Sequence, residues 1–136
     1  MEDNIFKPRE LSEEERIEIN ENDDDESVLI ANTNQILTSV GIAFKQIISM
    51  EELARVAPSM FVAVVESLYK MKIDGIIRNP QTKADYIQNA QLMINSLSDQ
   101  LKVDLSYITG EMIVLGNKEA LSNLVSIFMR LLSLTG

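Results

Sequence analysis

The side chains that could take part in chemistry are carboxylates, amines and hydroxyls, because the 136 residues include no Cys and no His. Disulfides, thiolate nucleophiles, imidazole bases and the usual zinc sites are therefore excluded. The neighbouring carboxylates of Glu51 and Glu52 fall on a predicted exposed helix start, where nothing would raise a pKa for acid catalysis. Gly110 and Gly116 are too isolated for a phosphate-binding loop. The sequence predicts no enzyme, cofactor, metal site or small-molecule substrate.

The acidic side chains are concentrated at the start of the chain. Residues 1–26 hold 12 of the 21 acidic groups and 3 of the 12 basic ones, so the whole net charge of −9 lies there. Such a composition cannot bury enough apolar surface to offset the entropy of ordering. We predict a flexible acidic arm at residues 1–26 and a single folded domain at residues 27–136. Ser12 and Glu15 have capping-box spacing, so a short helix formed on a partner is the alternative.

Calcium binding by the acidic cluster at residues 23–25 is not expected. An EF-hand loop needs a Gly at its sixth position and a Glu at its twelfth, and neither follows. Because residues 27–136 are neutral overall, the basic stripe that a nucleic-acid binder uses against phosphates is also missing.

One local excess of basic side chains stands out within the neutral domain. It consists of Lys70, Lys72, Arg78 and Lys83, interrupted by Asp74 and Asp85. If these four cations converge, they predict a salt-sensitive contact with an acidic protein partner. The alternative interpretation is an ordinary solvated face.

No segment of the sequence has the length or composition of a membrane anchor or a signal peptide. The longest apolar run, residues 60–65, is far shorter than the roughly 20 residues that a bilayer requires. Residues 1–4 are acidic where a signal peptide would be basic. We expect a soluble, cytoplasmic protein with no membrane contact.

The first half of the predicted domain is expected to form helices. A first helix, ended by Gly41, is predicted from apolar residues that recur on one face. That face consists of Leu29, Thr33, Ile36, Leu37 and Val40. A capping box at Ser49 predicts a short second helix through Val56, and Pro58 is expected to begin the next helix. The segment 60–69 is apolar nearly all round, which predicts a helix at the centre of the core.

The second half begins with a predicted connector, residues 70–80, because Gly75 and the Asn79-Pro80 pair prevent a continuous helix. Thr82 then has the spacing of a capping box that opens a long helix. The apolar face of that helix comprises Tyr86, Ile87, Ala90, Met93, Ile94 and Leu97.

Two glycines bracket brief apolar runs in the next stretch, residues 105–116. Single helical turns are expected there, with a small hairpin as the alternative. Asn117 is predicted to cap a last helix with a continuous apolar stripe. The stripe comprises Leu121, Leu124, Val125, Phe128, Leu131 and Leu132. The predicted fold class is therefore all-α and compact.

The order of these helices, together with a motif near the end of the chain, is similar to that of a known family of domains. In residues 108–128 a short helix leads to a Gly and a polar residue, and a helix with regularly spaced apolar residues follows. The motif resembles the final one of calponin-homology-like domains, which occur at the N-termini of centrosomal and ciliary coiled-coil proteins. Residues 30–37 are similar to the first helix of that family, and residues 86–97 to its central helix. The most specific part is Ile-Thr-Gly-Glu-Met-Ile-Val at residues 108–114.

The resemblance implies a structural module of the cytoskeleton at a centrosome, basal body, cilium or axoneme. It implies docking on microtubules or tubulin, or on a neighbouring filament protein, with a coiled coil that follows residue 136. The alternative is a heterodimerising calponin-homology-like adaptor of an intraflagellar-transport or kinetochore-type assembly, without direct lattice contact. Related domains use basic faces against tubulin, and this neutral domain departs from that pattern. A basic surface would favour the first function; an exposed apolar patch on the order of several hundred Å² would favour the second.

Overall fold

A computed structural model describes the backbone of residues 13–42 and 46–135. Within these ranges the chain forms five helices and no strand, so the all-α prediction is confirmed. The helices are α1 (Glu13–Ser39), α2 (Met50–Tyr69), α3 (Lys83–Leu101), α4 (Gly110–Val114) and α5 (Lys118–Thr135). Side chains are described for residues 25–42 and 46–134.

The first helix is longer than the sequence predicts. α1 begins at Glu13 rather than near Ser27, so its bounds run through the predicted boundary between arm and domain. The predicted apolar face is buried at Leu29, Ile36 and Leu37, and Thr33 is buried with it. The division of the chain at residue 26 stays a prediction, and residues 1–12 lie outside the described residues.

The second helix corrects the expectation for Pro58. α2 is continuous from Met50 to Tyr69, with Pro58 inside it rather than at the start of a separate helix. An interior proline removes one backbone hydrogen bond and costs about 3 kcal/mol. Tertiary burial overrides this local preference, because Pro58 and the apolar residues of the next turns are buried together. They include Met60, Phe61, Val62, Val64 and Val65, as predicted for the centre of the core.

The connector and α3 follow the prediction. Lys70 ends α2 in the left-handed conformation, with a φ of 52°, and the chain then runs without regular structure to Thr82. The Thr82 hydroxyl accepts the Asp85 N–H, and the Asp85 carboxylate accepts the Thr82 N–H, which completes the capping box. The last turn of α3 lies near the end of α2, since the Gln100 Nε2 and Met71 Sδ atoms are 3.7 Å apart.

The stretch predicted as single helical turns contains the short helix α4. Thr109 caps it by accepting the Met112 N–H, and the backbone N–H of Gly110 donates to the Gln91 side chain at 2.8 Å. A Cβ on Gly110 would lie only 2.4 Å from the carbonyl oxygen of Ile87. The backbones of α3 and α4 therefore approach each other as closely as only a glycine allows.

The last helix closes the core. Asn117 caps α5 as predicted, because its side-chain oxygen accepts the Ala120 N–H at 2.8 Å. The aromatic rings of Phe61 on α2 and Phe128 on α5 stack with centroids 5.4 Å apart, and both side chains are fully buried. The Lys118 ammonium and the Glu26 carboxylate, 3.3 Å apart, form a salt bridge between the start of α5 and α1.

Two asparagines on helices each hold one residue of a neighbouring loop. The Asn34 amide exchanges two hydrogen bonds with the backbone of Ile47, at 2.8 and 3.0 Å. The Asn89 amide does the same for Ile77, at 2.8 and 2.9 Å, and Asn89 is only 4% exposed. Each amide pairs with both the N–H and the C=O of the loop residue, as an adjacent strand would in a β-sheet. The backbone polar groups of these two loop residues are therefore satisfied without a sheet.

Within the described ranges no helix is both long enough and apolar enough to cross a membrane.

Candidate protein-binding surfaces

Three of the four predicted partner-binding cations lie around the end of α2. Lys70 and Lys72 are exposed and share a surface depression with Glu66. Arg78 returns to the same place along the connector, because its guanidinium contacts the Glu66 carboxylate. We call Lys70, Lys72 and Arg78 the basic edge. It exists because the connector doubles back along α3 instead of extending α2.

Glu66 determines how much positive charge the basic edge carries. Its two carboxylate oxygens accept from the Arg78 guanidinium at 2.7 and 3.0 Å, and one of them also accepts the Ile73 N–H at 2.8 Å. The hydrogen bond from Arg78 lowers the pKa of Glu66; burial opposes this effect, whereas the Ile73 N–H and nearby Lys72 reinforce it. Glu66 is therefore ionised and balances the charge of Arg78. The net positive charge of the edge comes from Lys70 and Lys72.

Lys83 stands apart from the basic edge. It is the first residue of α3, whereas Met71 contacts Gln100 in the last turn of that helix. At a rise of 1.5 Å per residue, the two ends of α3 are roughly 25 Å apart. Lys83 is also close in sequence to Asp85, whose pKa is lowered because its carboxylate accepts the backbone N–H groups of Gln81 and Thr82. The structure thus brings three of the four predicted cations together and leaves the fourth near the other end of α3.

A second surface, which the sequence did not predict, is an apolar groove of about 350 Å³ between the loop after α3 and the C-terminal half of α5. Its floor consists of half-buried Leu101, Ile127 and Leu131 with buried Leu105. Its rim carries three exposed apolar side chains, Val103 at 48%, Tyr107 at 55% and Leu134 at 79%. Asp104 stands on the loop side and Arg130 on the α5 side.

The sequence contained only a weak signal for this apolar groove. Leu131 belonged to the stripe predicted as core, but it is only half-buried. Val103 and Tyr107 are apolar residues in a short loop, where polar residues are usual. Single exposed apolar residues are common on protein surfaces, so only their convergence in three dimensions identifies a surface of interest.

The described side chains show no group of three or more carboxylates that could hold a metal ion.

Part of this chain is similar to a known protein family. Residues 73–131 match a family described as "Domain of unknown function (DUF5745)". The matched stretch contains Arg78, Lys83, the Asn89 contact, α4 and most of α5. It begins after Lys70 and Lys72, so it includes only one residue of the basic edge.

The chain is also similar to centrosomal proteins of two rodents. It is 39% identical over 84 residues to the "Centrosomal protein of 95 kDa" of Mus musculus, a match that covers 61% of this chain and 10% of the relative. The protein of the same name from Rattus norvegicus is 41% identical over 75 residues, which cover 54% of this chain and 9% of the relative. The chain therefore spans about a tenth of the length of these relatives. The expected likeness to a centrosomal protein is confirmed over part of the chain, whereas the calponin-homology-like arrangement of the helices stays a prediction.

Proposed function

We propose that this domain is a non-enzymatic interaction module of a structural protein of the centrosome. The observation that carries the proposal is the 39% identity over 84 residues to a centrosomal protein. The proposed place is the cytoplasmic cytoskeleton, at a centrosome, basal body or cilium. The absence of Cys and His supports a non-enzymatic role, because the common nucleophiles and bases are missing.

The proposed partner is tubulin in microtubules, or a neighbouring filament protein, contacted through the basic edge. Lys70 and Lys72 support this choice, since both are exposed and neither forms a salt bridge with another described residue. Their ammonium groups are free to meet carboxylates of an acidic partner. Such contacts are exposed to solvent, so the affinity should fall steeply with salt.

Co-sedimentation with microtubules tests this proposal. The 136-residue chain should pellet with microtubules at low salt and lose binding as the salt concentration rises. Lys72→Glu should weaken binding about tenfold, whereas Arg55→Glu should change it little. Arg55 is a matched control because it is exposed on α2 and its replacement changes the net charge equally. If the chain does not pellet at low salt, or if both variants weaken binding alike, the basic edge is not a tubulin-binding site.

The apolar groove favours a second candidate function, which is pairing with another helical chain. This is the role of a heterodimerising adaptor in a transport or kinetochore-type assembly. Exposed apolar side chains that converge on one groove are typical of protein interfaces. The two candidates use different surfaces, and in the second the domain makes no direct contact with the microtubule lattice.

A further inference from the structure

We propose that the apolar groove pairs this chain with a second copy of itself about a two-fold axis. The proposal concerns a different surface from the basic edge and does not depend on binding to tubulin. Two features of the groove carry it: the exposed apolar rim and the signs of the charges beside that rim.

The apolar rim supplies the driving force for association. Val103 and Tyr107 project from the loop and Leu134 from the last turns of α5, over a floor that is already half-buried. A partner that covers these three side chains removes their apolar surface from water, which favours association. Tyr107 suits a pairing surface particularly well, because an aromatic ring gives a large contact area and its hydroxyl can stay in water.

The charges beside the rim identify the partner. A strongly acidic or strongly basic partner would need a rim of one sign, but this rim has one charge of each sign on opposite sides. In a two-fold contact whose axis runs along the groove, between the loop and α5, the cation side of one copy faces the carboxylate side of the other. Arg130 of each copy would therefore face Asp104 of the other copy, forming two equivalent ion pairs.

Both charged groups are available for that contact. Arg130 is exposed and forms no salt bridge with another described residue. The Asp104 carboxylate accepts the Ser106 N–H at 2.9 Å and also bonds to the Ser106 side chain, which holds the carboxylate in place; its remaining lone pairs can accept from a guanidinium. The same hydrogen bond lowers the pKa of Asp104, so the carboxylate is charged at neutral pH.

The first test is the mass of the 136-residue chain in solution. We expect sedimentation velocity from about 1 μM to about 500 μM to show a concentration-dependent shift from one chain toward two, as for a small interface with a Kd on the order of 10 μM. A single chain of 15.3 kDa at every concentration would overturn the proposal.

A matched pair of apolar variants tests which surface is used. Leu134→Lys should weaken dimerisation at least tenfold, and Ile48→Lys should leave it unchanged. Leu134 and Ile48 are both 79% exposed, so the two substitutions introduce the same charge at equally accessible sites. If dimers persist in Leu134→Lys, or if Ile48→Lys dissociates them, the groove does not form the contact.

A charge exchange tests the two-fold arrangement itself. Arg130→Asp and Asp104→Arg should each weaken dimerisation about tenfold by placing like charges opposite each other. The double variant should recover the affinity to within about threefold, because both ion pairs re-form in reverse. No recovery in a folded double variant would overturn the two-fold pairing. If Asp104→Arg fails to fold, Asp104→Asn, which keeps the acceptor for Ser106, should still weaken dimerisation, and an unchanged affinity would count against the proposal.

Microtubule co-sedimentation separates this proposal from the first one. A monomeric Leu134→Lys variant that still pellets at higher concentration leaves tubulin binding intact. A dimeric chain that never pellets contradicts only the tubulin contact.

Discussion

Single residues fix the distances between elements in this domain, and Gly110 is the clearest case. A Cβ there would lie 2.4 Å from the Ile87 carbonyl oxygen and 2.7 Å from the Gln91 amide nitrogen. Both atoms belong to the backbone of α3, so they cannot move aside without separating α3 from α4. The close approach of these two helices therefore depends on one missing side chain.

We expect Gly110→Ala to lower the free energy of unfolding by about 3 kcal/mol, at the upper end of the usual cost of overpacking. Urea unfolding measures this change. Gly41→Ala is the control: a Cβ there meets nothing within 4 Å, so only its positive φ of 77° is penalised, at about 1 kcal/mol. Equal losses in the two variants would contradict the predicted clash at α4.

Glu66 makes the stability of the domain sensitive to acid. Its pKa in the folded protein is lowered, chiefly by the hydrogen bond from Arg78, from an ordinary value of 4.5. A depressed carboxyl pKa contributes stability that is present above the unfolded pKa and is lost as the pH falls through the folded pKa. We therefore expect the free energy of unfolding to decline from about pH 5 downward.

Chemical unfolding at several pH values checks this prediction. Glu66→Gln removes the titrating group but keeps an acceptor for Ile73, so its stability should depend less on pH over the same interval. The same pH dependence in the variant would mean that other carboxyls, and not Glu66, cause the loss in acid.

At the scale of elements, the conformation of the connector between α2 and α3 depends on a contact with α3 more than on the connector's own sequence. Residues 70–82 contain no helix, and the buried Asn89 amide satisfies both backbone polar groups of Ile77. An unpaired buried backbone group costs about 1–3 kcal/mol, which is why this asparagine is tolerated inside an apolar face. The basic edge forms at this connector, so Asn89 positions the proposed partner-binding surface without belonging to it.

Asn89→Ala should lower the free energy of unfolding by about 2–3 kcal/mol and speed hydrogen exchange at the Ile77 amide. Gln88→Ala is the matched control, because Gln88 is its exposed neighbour on α3, and should change stability by less than about 0.5 kcal/mol. Protection of the Ile77 amide that survives in Asn89→Ala would show that the connector holds its conformation unaided.

For the whole molecule, the predicted division at residue 26 can be tested by removing the acidic arm. Leu29 is the first described residue that is buried, so residues 27–136 contain every described core side chain. The removed part includes Glu26, whose salt bridge with Lys118 is half-buried and is expected to contribute no more than about 1 kcal/mol.

We expect residues 27–136 to unfold cooperatively, with a Tm within a few degrees of that of the full chain, as measured by circular dichroism. The same truncation removes the entire net charge of −9, so binding to microtubules should strengthen at low salt. A loss of cooperative unfolding would show that the N-terminal part of α1 belongs to the folded domain.

The sequence could predict the helices because their signals are local. The Thr82 capping box and the Asn117 cap are satisfied by residues three positions away, and the apolar stripe of α5 repeats within one helix. Pro58 was misassigned for the opposite reason: its local preference for a helix start is outweighed by burial against distant residues. The sequence predicted too late a start for α1, because apolar periodicity does not detect a helical segment that consists mostly of acidic and polar residues.

The sequence alone determined an all-α chain whose net charge lies in its first 26 residues, and a chemistry without thiols or imidazoles. Net charge and 3.6-residue periodicity follow from the amino-acid sequence and can be determined without knowledge of the fold. Only the tertiary structure decided that Arg78 is neutralised by Glu66, that Lys83 lies away from Lys70 and Lys72, and that Leu134 and Tyr107 border one groove. These are relations between residues up to 27 positions apart in the chain, which depend on how the helices pack rather than on local spacing.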